Sequence, residues 1–248
     1  MALLDVRDLN KRFGAIVVAD HVDLMIDIGE CTGVVGPNGA GKSSLFSLIS
    51  GSLAPDSGSV FLDGQDITHL PPHSRVHRGI GRAFQIPQPF NGLSVYENVY
   101  SAASFGARLP ARRAREVARD VLVRTELADM GNTQAGSLTL LNRKRLELAK
   151  ALAVGAKLLM LDEIGAGLTE REVDRLVRTI AELKKDHAII WIEHIAHALM
   201  AVADRILVLN FGEKLAEGAP AEVMASKLVQ EIYLGISVAR CSRGRRKR

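Results

Sequence analysis

The chain has 248 residues, 47% of them apolar and 24% charged, enough length and apolar content to bury a sizeable core in one or two domains. This composition excludes a disordered chain, a collagen-like repeat and a disulfide-framework scaffold. Six of the 32 basic residues (Arg240, Arg243, Arg245, Arg246, Lys247 and Arg248) fall in the last nine positions, so the net charge of +4 belongs to the tail and the rest carries 26 bases against 28 acids.

We read residues 240–248 as a disordered, solvated tail, in preference to an anchor for anionic lipid or a nucleic-acid contact. Apolar runs such as 158–161 and 189–192 are four residues long and cannot span a bilayer. The first five residues carry no basic leader or long apolar stretch, so the expected location is the cytoplasm. Cys31 and Cys241 stand 210 positions apart, outside any C-x-x-C spacing, and are expected to be free thiols.

Short apolar stretches bounded by Gly and Asp predict strands over residues 2–9, 22–28, 31–35, 59–62, 158–161, 188–192 and 206–209. Helical periodicity is clearest over 45–49, 111–127, 146–153 and 170–183. This alternation predicts an α/β fold. The exception is residues 87–153, which show no convincing strand, open on Pro87 and Pro89, and contain an Arg-rich stretch over 108–124. We expect a helical subdomain there, inserted into one domain over residues 1–239.

Gly36-Pro37-Asn38-Gly39-Ala40-Gly41-Lys42-Ser43 fits G-x-x-x-x-G-K-[ST], after a strand-like segment and before a helical one. Glycines let backbone N–H groups close around phosphate oxygens, and the helix N-terminus favours the anion. Lys42 neutralises outer phosphates and the Ser43 hydroxyl, followed by Ser44, reaches Mg²⁺. The expected ligand is a nucleoside triphosphate. The strand-like 158–161 delivers Asp162 and Glu163 at its C-terminal end, where Asp162 suits a metal-associated role and Glu163 can polarise a water. A second strand-like run ends at Glu193-His194, where the imidazole is either a phosphate contact or structural. His69, His73 and His77 recur every four residues, but Pro71-Pro72 interrupts any helix they would share, so we read a polar surface turn rather than a zinc site.

In this order the elements resemble the nucleotide-binding subunit of ATP-binding cassette (ABC) transporters over residues 1 to about 235. The resemblance implies a P-loop NTPase of the cassette type: a mixed sheet core, an inserted helical subdomain and a small N-terminal antiparallel β part. It also implies that Phe13 stacks on adenine, that Gln85 in Arg82-Ala83-Phe84-Gln85 senses Mg²⁺ and the attacking water, and that Lys42, Ser43, Asp162, Glu163 and His194 are the Walker A, Walker B, catalytic and switch residues. Mg²⁺ would then be held by Ser43, Gln85 and Asp162. Gln85-Ile86-Pro87-Gln88-Pro89-Phe90, Leu93-Ser94-Val95-Tyr96-Glu97-Asn98-Val99, Ile192-Glu193-His194, Ala216-Glu217-Gly218-Ala219-Pro220 and Tyr233-Leu234-Gly235 are similar to the ATPase subunits of branched-chain amino acid importers. A neighbouring branch, the lipopolysaccharide-export ATPase, has a similar ending.

The resemblance breaks at the family signature Leu-Ser-Gly-Gly-Gln, which aligns with Leu138-Thr139-Leu140-Leu141-Asn142. In the resembling proteins two subunits pair head to tail, each signature capping the phosphate held by the other's P-loop. Thr139 keeps a hydroxyl, for phosphate or for capping the helix. Leu140 and Leu141 keep their N–H groups but add bulk where backbone must approach phosphate, and Asn142 is one methylene shorter than Gln. We therefore expect a weakened signature and a heterodimer with a different ATPase, a homodimer being the alternative. Ile164 stands in place of the expected proline and Thr169 in place of the usual Asn or Asp after Gly167-Leu168. The implied activity is Mg-ATP hydrolysis that drives separate integral-membrane permease subunits, with a solute-binding protein as indirect partner, from the inner face of the membrane. A P-loop kinase, an ABC protein acting on DNA or ribosomes, and a cassette that binds ATP without turnover are the rivals; no nucleic-acid partner is expected.

Overall fold

The apolar stretches pair into one sheet because each buries alternate residues on opposite faces. The computed structural model describes residues 2–227 together with Val229 and Glu231; the basic tail, Cys241 and the motif at 233–235 lie outside the described residues. The first half contains β1 (Leu4–Phe13), β2 (Ile16–Ile26), β3 (Cys31–Val35), α1 (Lys42–Ser50), β4 (Ser57–Leu62), β5 (Gln65–Asp66), α2 (Pro72–Val76), β6 (Ile80–Ala83), α3 (Val95–Ser101) and α4 (Ala111–Arg124). Then come α5 (Leu140–Ala153), β7 (Leu158–Asp162), α6 (Glu170–Lys184), β8 (Ala188–Ile192), α7 (Ala196–Val202), β9 (Arg205–Asn210), β10 (Glu213–Gly218) and α8 (Pro220–Ala225).

The strand order is β5-β4-β1-β2-β10-β9-β3-β8-β7-β6. From β9 to β6 the neighbours run parallel, whereas β1 pairs antiparallel with β2 and β4, and β10 antiparallel with β9. This is the expected α/β architecture, a mixed sheet with an N-terminal antiparallel part. Strands β3, β7 and β8 are buried along their whole length, as parallel strands covered on both faces must be. Cys31, Val35, Leu159, Leu161, Ile189 and Trp191 join one core with the helices, and Val34, Leu158, Met160, Ala188, Ile190 and Ile192 join a second with α1 and the antiparallel strands. The Cys31 thiol is fully buried and free, and burial pushes its pKa up to about 12.

Sequence periodicity passes over β5, β6, β10, α2, α3, α7 and α8. In β6 the sequence is Ile-Gly-Arg-Ala, and α5 presses on it so closely that a Cβ on Gly81 would lie 2.1 Å from the Ala151 carbonyl oxygen. The strand is dictated by that packing, not by local propensity. α3 carries a capping box, in which Ser94 and Glu97 satisfy each other's backbone N–H groups. Between β6 and β7 the chain holds α3, a π-helical turn (Ala102–Gly106), α4 and α5, with one isolated bridge, Ser94 to Gln134.

The helix α1, which opens on the glycine loop, is anchored at its far end by Arg75. That buried guanidinium donates to the carbonyls of Leu48, Ile49, Thr68 and Leu70, and burial lowers its pKa to about 10. α2 starts at Pro72 with Pro71 as its cap, so His69 lies outside it, and His77 Nδ1 bonds the Gly106 carbonyl at 2.7 Å. No group of three or more metal-type ligands occurs among the described residues. No described helix is long and apolar enough to cross a membrane.

Candidate active site

Residues 36–41 connect β3 to α1. Gly41 caps the helix at φ 104°, and a Cβ there would lie 2.4 Å from the Val18 carbonyl oxygen; at Gly36 it would lie 2.2 Å from that of Leu209. Side chains are thus excluded from the floor of the loop by neighbouring backbone. The first-turn N–H groups of α1, including those of Ser43 and Ser44, have no carbonyl one turn back to bond. Lys42 is buried, and its ammonium donates to the Gly36 and Pro37 carbonyls at 2.7 and 2.9 Å. Burial lowers its pKa, opposed by the carboxylates of Glu163 and Asp162. Phe13 ends β1 with its ring half exposed, and its hairpin partner β2 abuts the loop through Val18.

Parallel β6, β7 and β8 end side by side and bring Gln85, Glu163 and His194 together. Gln85 Nε2 donates to Glu163 Oε2 at 2.5 Å, and His194 Nε2 lies 2.9 Å from Oε1. Both oxygens of one carboxylate are therefore held by residues 78 and 31 positions away. Glu163 has φ 46°, a left-handed conformation that a non-glycine residue adopts at a cost, of the kind found where surrounding structure fixes a functional side chain. Its N–H donates to the Ile192 carbonyl. Asp162 is buried beside it; Oδ2 accepts from Arg82 Nη2 at 2.7 Å, and Oδ1 accepts no bond among the described residues.

Three supporting residues were not assigned a role from sequence alone. Arg82 engages Asp162 as above. Lys144, 2% exposed, donates to the carbonyls of Gln85 and Glu163, and burial lowers its pKa. The buried Glu193 carboxylate accepts from the N–H groups of Gly165 and His194, which fixes the turn after Glu163 relative to β8. A buried lysine two places beyond Asn142 is the one local signal, since a basic residue on the apolar side of a helix needs partners.

At the signature position Thr139 caps α5, its hydroxyl accepting from the Asn142 N–H at 3.4 Å. Leu141 is buried, and the Asn142 amide is turned toward the Met130 sulfur at 3.1 Å. Leu140 is 43% exposed and leans over Gly167, with Cδ2 3.2 Å from where a Cβ on that glycine would stand. Ile164 is fully buried, and Thr169 forms a capping box with Glu172 at the start of α6.

The donor set fits a magnesium nucleotide. Glycine floor, helix N-terminus, a hydroxyl at Ser43, an ammonium resting on carbonyls that phosphate can replace, and a free Asp162 oxygen supply what phosphate and a hard divalent cation need.

Residues 19–166 match the ABC transporter family model, and residues 213–239 match that of the branched-chain amino acid ATP-binding cassette transporter. The chain is 34% identical to the high-affinity branched-chain amino acid transport ATP-binding protein BraF of Pseudomonas aeruginosa, over 94% of this chain and 98% of that protein. It is 32% identical to the lipopolysaccharide export system ATP-binding protein LptB of Escherichia coli, over 95% and 98%. Among solved structures, an ATP-binding cassette of an ABC transporter in its ADP conformation is similar with a TM-score of 0.85 at 29% identity, covering 95% of this chain and 99% of that one.

Proposed function

The chain belongs to the ABC transporter family as an ATP-binding subunit, and from that premise we propose that it hydrolyses Mg-ATP to power import of branched-chain amino acids or related small polar solutes through separate permease subunits. The observation that carries the catalytic reading is the Gln85–Glu163–His194 cluster, which holds both oxygens of one carboxylate, on a residue with left-handed backbone, beside Asp162. Glu163 orients the attacking water and takes its proton as oxygen bonds to the γ-phosphorus and the bond to the bridging oxygen breaks. His194 and Gln85 keep the carboxylate aimed, and Lys42 leaves its carbonyls for the outer phosphates. Ser43, Asp162 and Gln85 would hold Mg²⁺, which would supply positive charge against the phosphate oxygens.

The importer branch is favoured by the match at residues 213–239 and by BraF; the likeness to LptB supports lipopolysaccharide export as the second reading. We assign residues 87–153 to a helical subdomain. Between it and the sheet lies a cavity of about 250 Å³ lined by Arg82, Phe84, Ala102, Glu147 and Val154, with exposed Ile86 and Phe90 on the nearby segment. We assign permease docking to this groove and the chain to the inner face of the membrane, with a solute-binding protein as an indirect partner. The leucines at 140 and 141 favour a heterodimer, in which this P-loop is completed by another subunit's signature.

The test is phosphate release from Mg-ATP against protein concentration, with ATP binding measured alongside. In the assembled site Glu163→Gln is expected to lower turnover by about a hundredfold or more while binding persists. A specific rate that rises with concentration in the wild type would establish a working homodimer and remove the need for a different partner. Absence of ATP binding would overturn the proposal.

A further inference from the structure

Arg82 stands between the docking cavity and the metal-side carboxylate. Its guanidinium carbon lies 4.8 Å from the ring centre of Phe84 and 5.6 Å from that of Phe46. Phe46 is fully buried on α1, the helix that the phosphate loop opens, whereas Phe84 is 45% exposed immediately before Gln85. Both Arg82 and Phe84 line the cavity. At the far end Arg82 Nη2 holds Asp162 Oδ2, with only 15% and 10% of the two side chains exposed, and Arg82 Nε is buried without a partner.

A planar cation stacked near two rings has few ways to turn, so the bond to Asp162 is aimed by the aromatic pair. The arrangement commits one carboxylate oxygen and leaves the other for a cation. We propose that Arg82 is a positioning residue that orients Asp162 for Mg²⁺, and that Phe84 ties this orientation to the wall of the docking cavity. An apolar partner side chain seated against Phe84 then acts on the metal side of the site through two contacts, separately from Gln85. This rests on the nucleotide reading above. Partners that orient a metal-ligating carboxylate are worth about 10- to 100-fold in metal affinity.

The test is the Mg²⁺ dependence of trinitrophenyl-ATP binding to the full chain, with an EDTA control and circular dichroism to check folding. Arg82→Met is expected to raise the Mg²⁺ half-saturation about tenfold, Arg82→Lys by less because it keeps the charge, and Phe84→Ala about threefold, with binding in EDTA unchanged. If Arg82→Met does not fold, Arg82→Lys and Phe84→Ala carry the measurement. Unchanged or tightened Mg²⁺ dependence in the folded Arg82 variants would overturn the positioning role. A shift in those variants with none in Phe84→Ala would overturn the link to the cavity. Wild-type binding that ignores Mg²⁺ would also overturn the positioning role, whereas a wild-type chain that binds no trinitrophenyl-ATP with or without Mg²⁺ would instead overturn the nucleotide reading on which the inference rests, and this outcome is distinguishable because it appears without any substitution.

Discussion

Around Gly41 the chain needs side chains to be absent, whereas around Leu140 it places them where the family pattern has none. The phosphate loop is walled by the carbonyls of Val18 and Leu209, which leave no room for a Cβ. The signature turn keeps its helix cap at Thr139 but fills its glycine positions with one buried leucine and one that leans on Gly167. Both regions begin a helix, so both offer N–H groups to an anion. Only the first offers them bare. Lys144, on α5 just after the signature, ties that helix to the Glu163 cluster by donating to the backbone of Gln85 and Glu163. A composite site can thus keep one half intact while the other half diverges, provided that each half is completed by a different subunit.

The largest effect that sharpens this contrast is expected from Gly41→Ala. The new Cβ would stand 2.4 Å from the Val18 carbonyl oxygen at φ 104°, and backbone on both sides leaves nothing flexible to give way. A cost of about 3 kcal/mol or more is expected. Thermal unfolding should show a large drop in Tm, and binding of a fluorescent ATP analogue should be lost. Near-wild-type values would mean that the loop does not depend on bare backbone, and the contrast with Leu140 would collapse.

Leu140→Gly probes the other half and runs the opposite way. Leu140 is 43% exposed at the start of α5, so its removal creates no core cavity, unlike removal of Leu141. If bulk at this position limits the isolated chain, turnover per subunit should rise by about tenfold, equivalent to about 1.4 kcal/mol in the barrier. Phosphate release at saturating Mg-ATP measures it. Unchanged turnover would shift the defect to Asn142, whose amide is held by Met130.

What was legible in the sequence follows the same division. Phosphate binding demands glycines and a lysine at fixed spacing, and an apolar strand ending in Asp162-Glu163 is local, so those parts could be read from short windows. Phe13 and Gln85 were legible only through resemblance, because each stands alone in its own segment, and His194 was visible at the end of a strand-like run with its role left open until the resemblance supplied it. Arg82, Lys144 and Glu193 act across the fold; Arg82 reaches Asp162 over 80 positions because β6 and β7 pair Arg82 with Met160. No local pattern encodes that register. β6 was hidden for a related reason, since Gly81 answers to α5, an element that comes later in the chain.

The smallest expected effect separates the two histidines that flank β8. His194 follows the strand, 40% exposed in its side chain and bonded to Glu163, whereas His187 precedes it, 7% exposed, with Nδ1 donating to the Leu183 carbonyl at 2.8 Å. Burial lowers the His187 pKa below its ordinary 6.5, with Arg124 adding to the shift and the Leu183 bond and Asp186 opposing it. The folded chain keeps this imidazole neutral while the unfolded chain protonates it. Its contribution to stability is therefore complete above about pH 6.5 and is lost as pH falls from there through the depressed folded value. Between about pH 7.5 and about pH 5.5 the wild-type Tm should fall further than that of His187→Gln. An equal fall in the two proteins would mean that the buried end of β8 does not carry this acid sensitivity, and the depressed pKa of His187 would then have no weight in the stability of the fold.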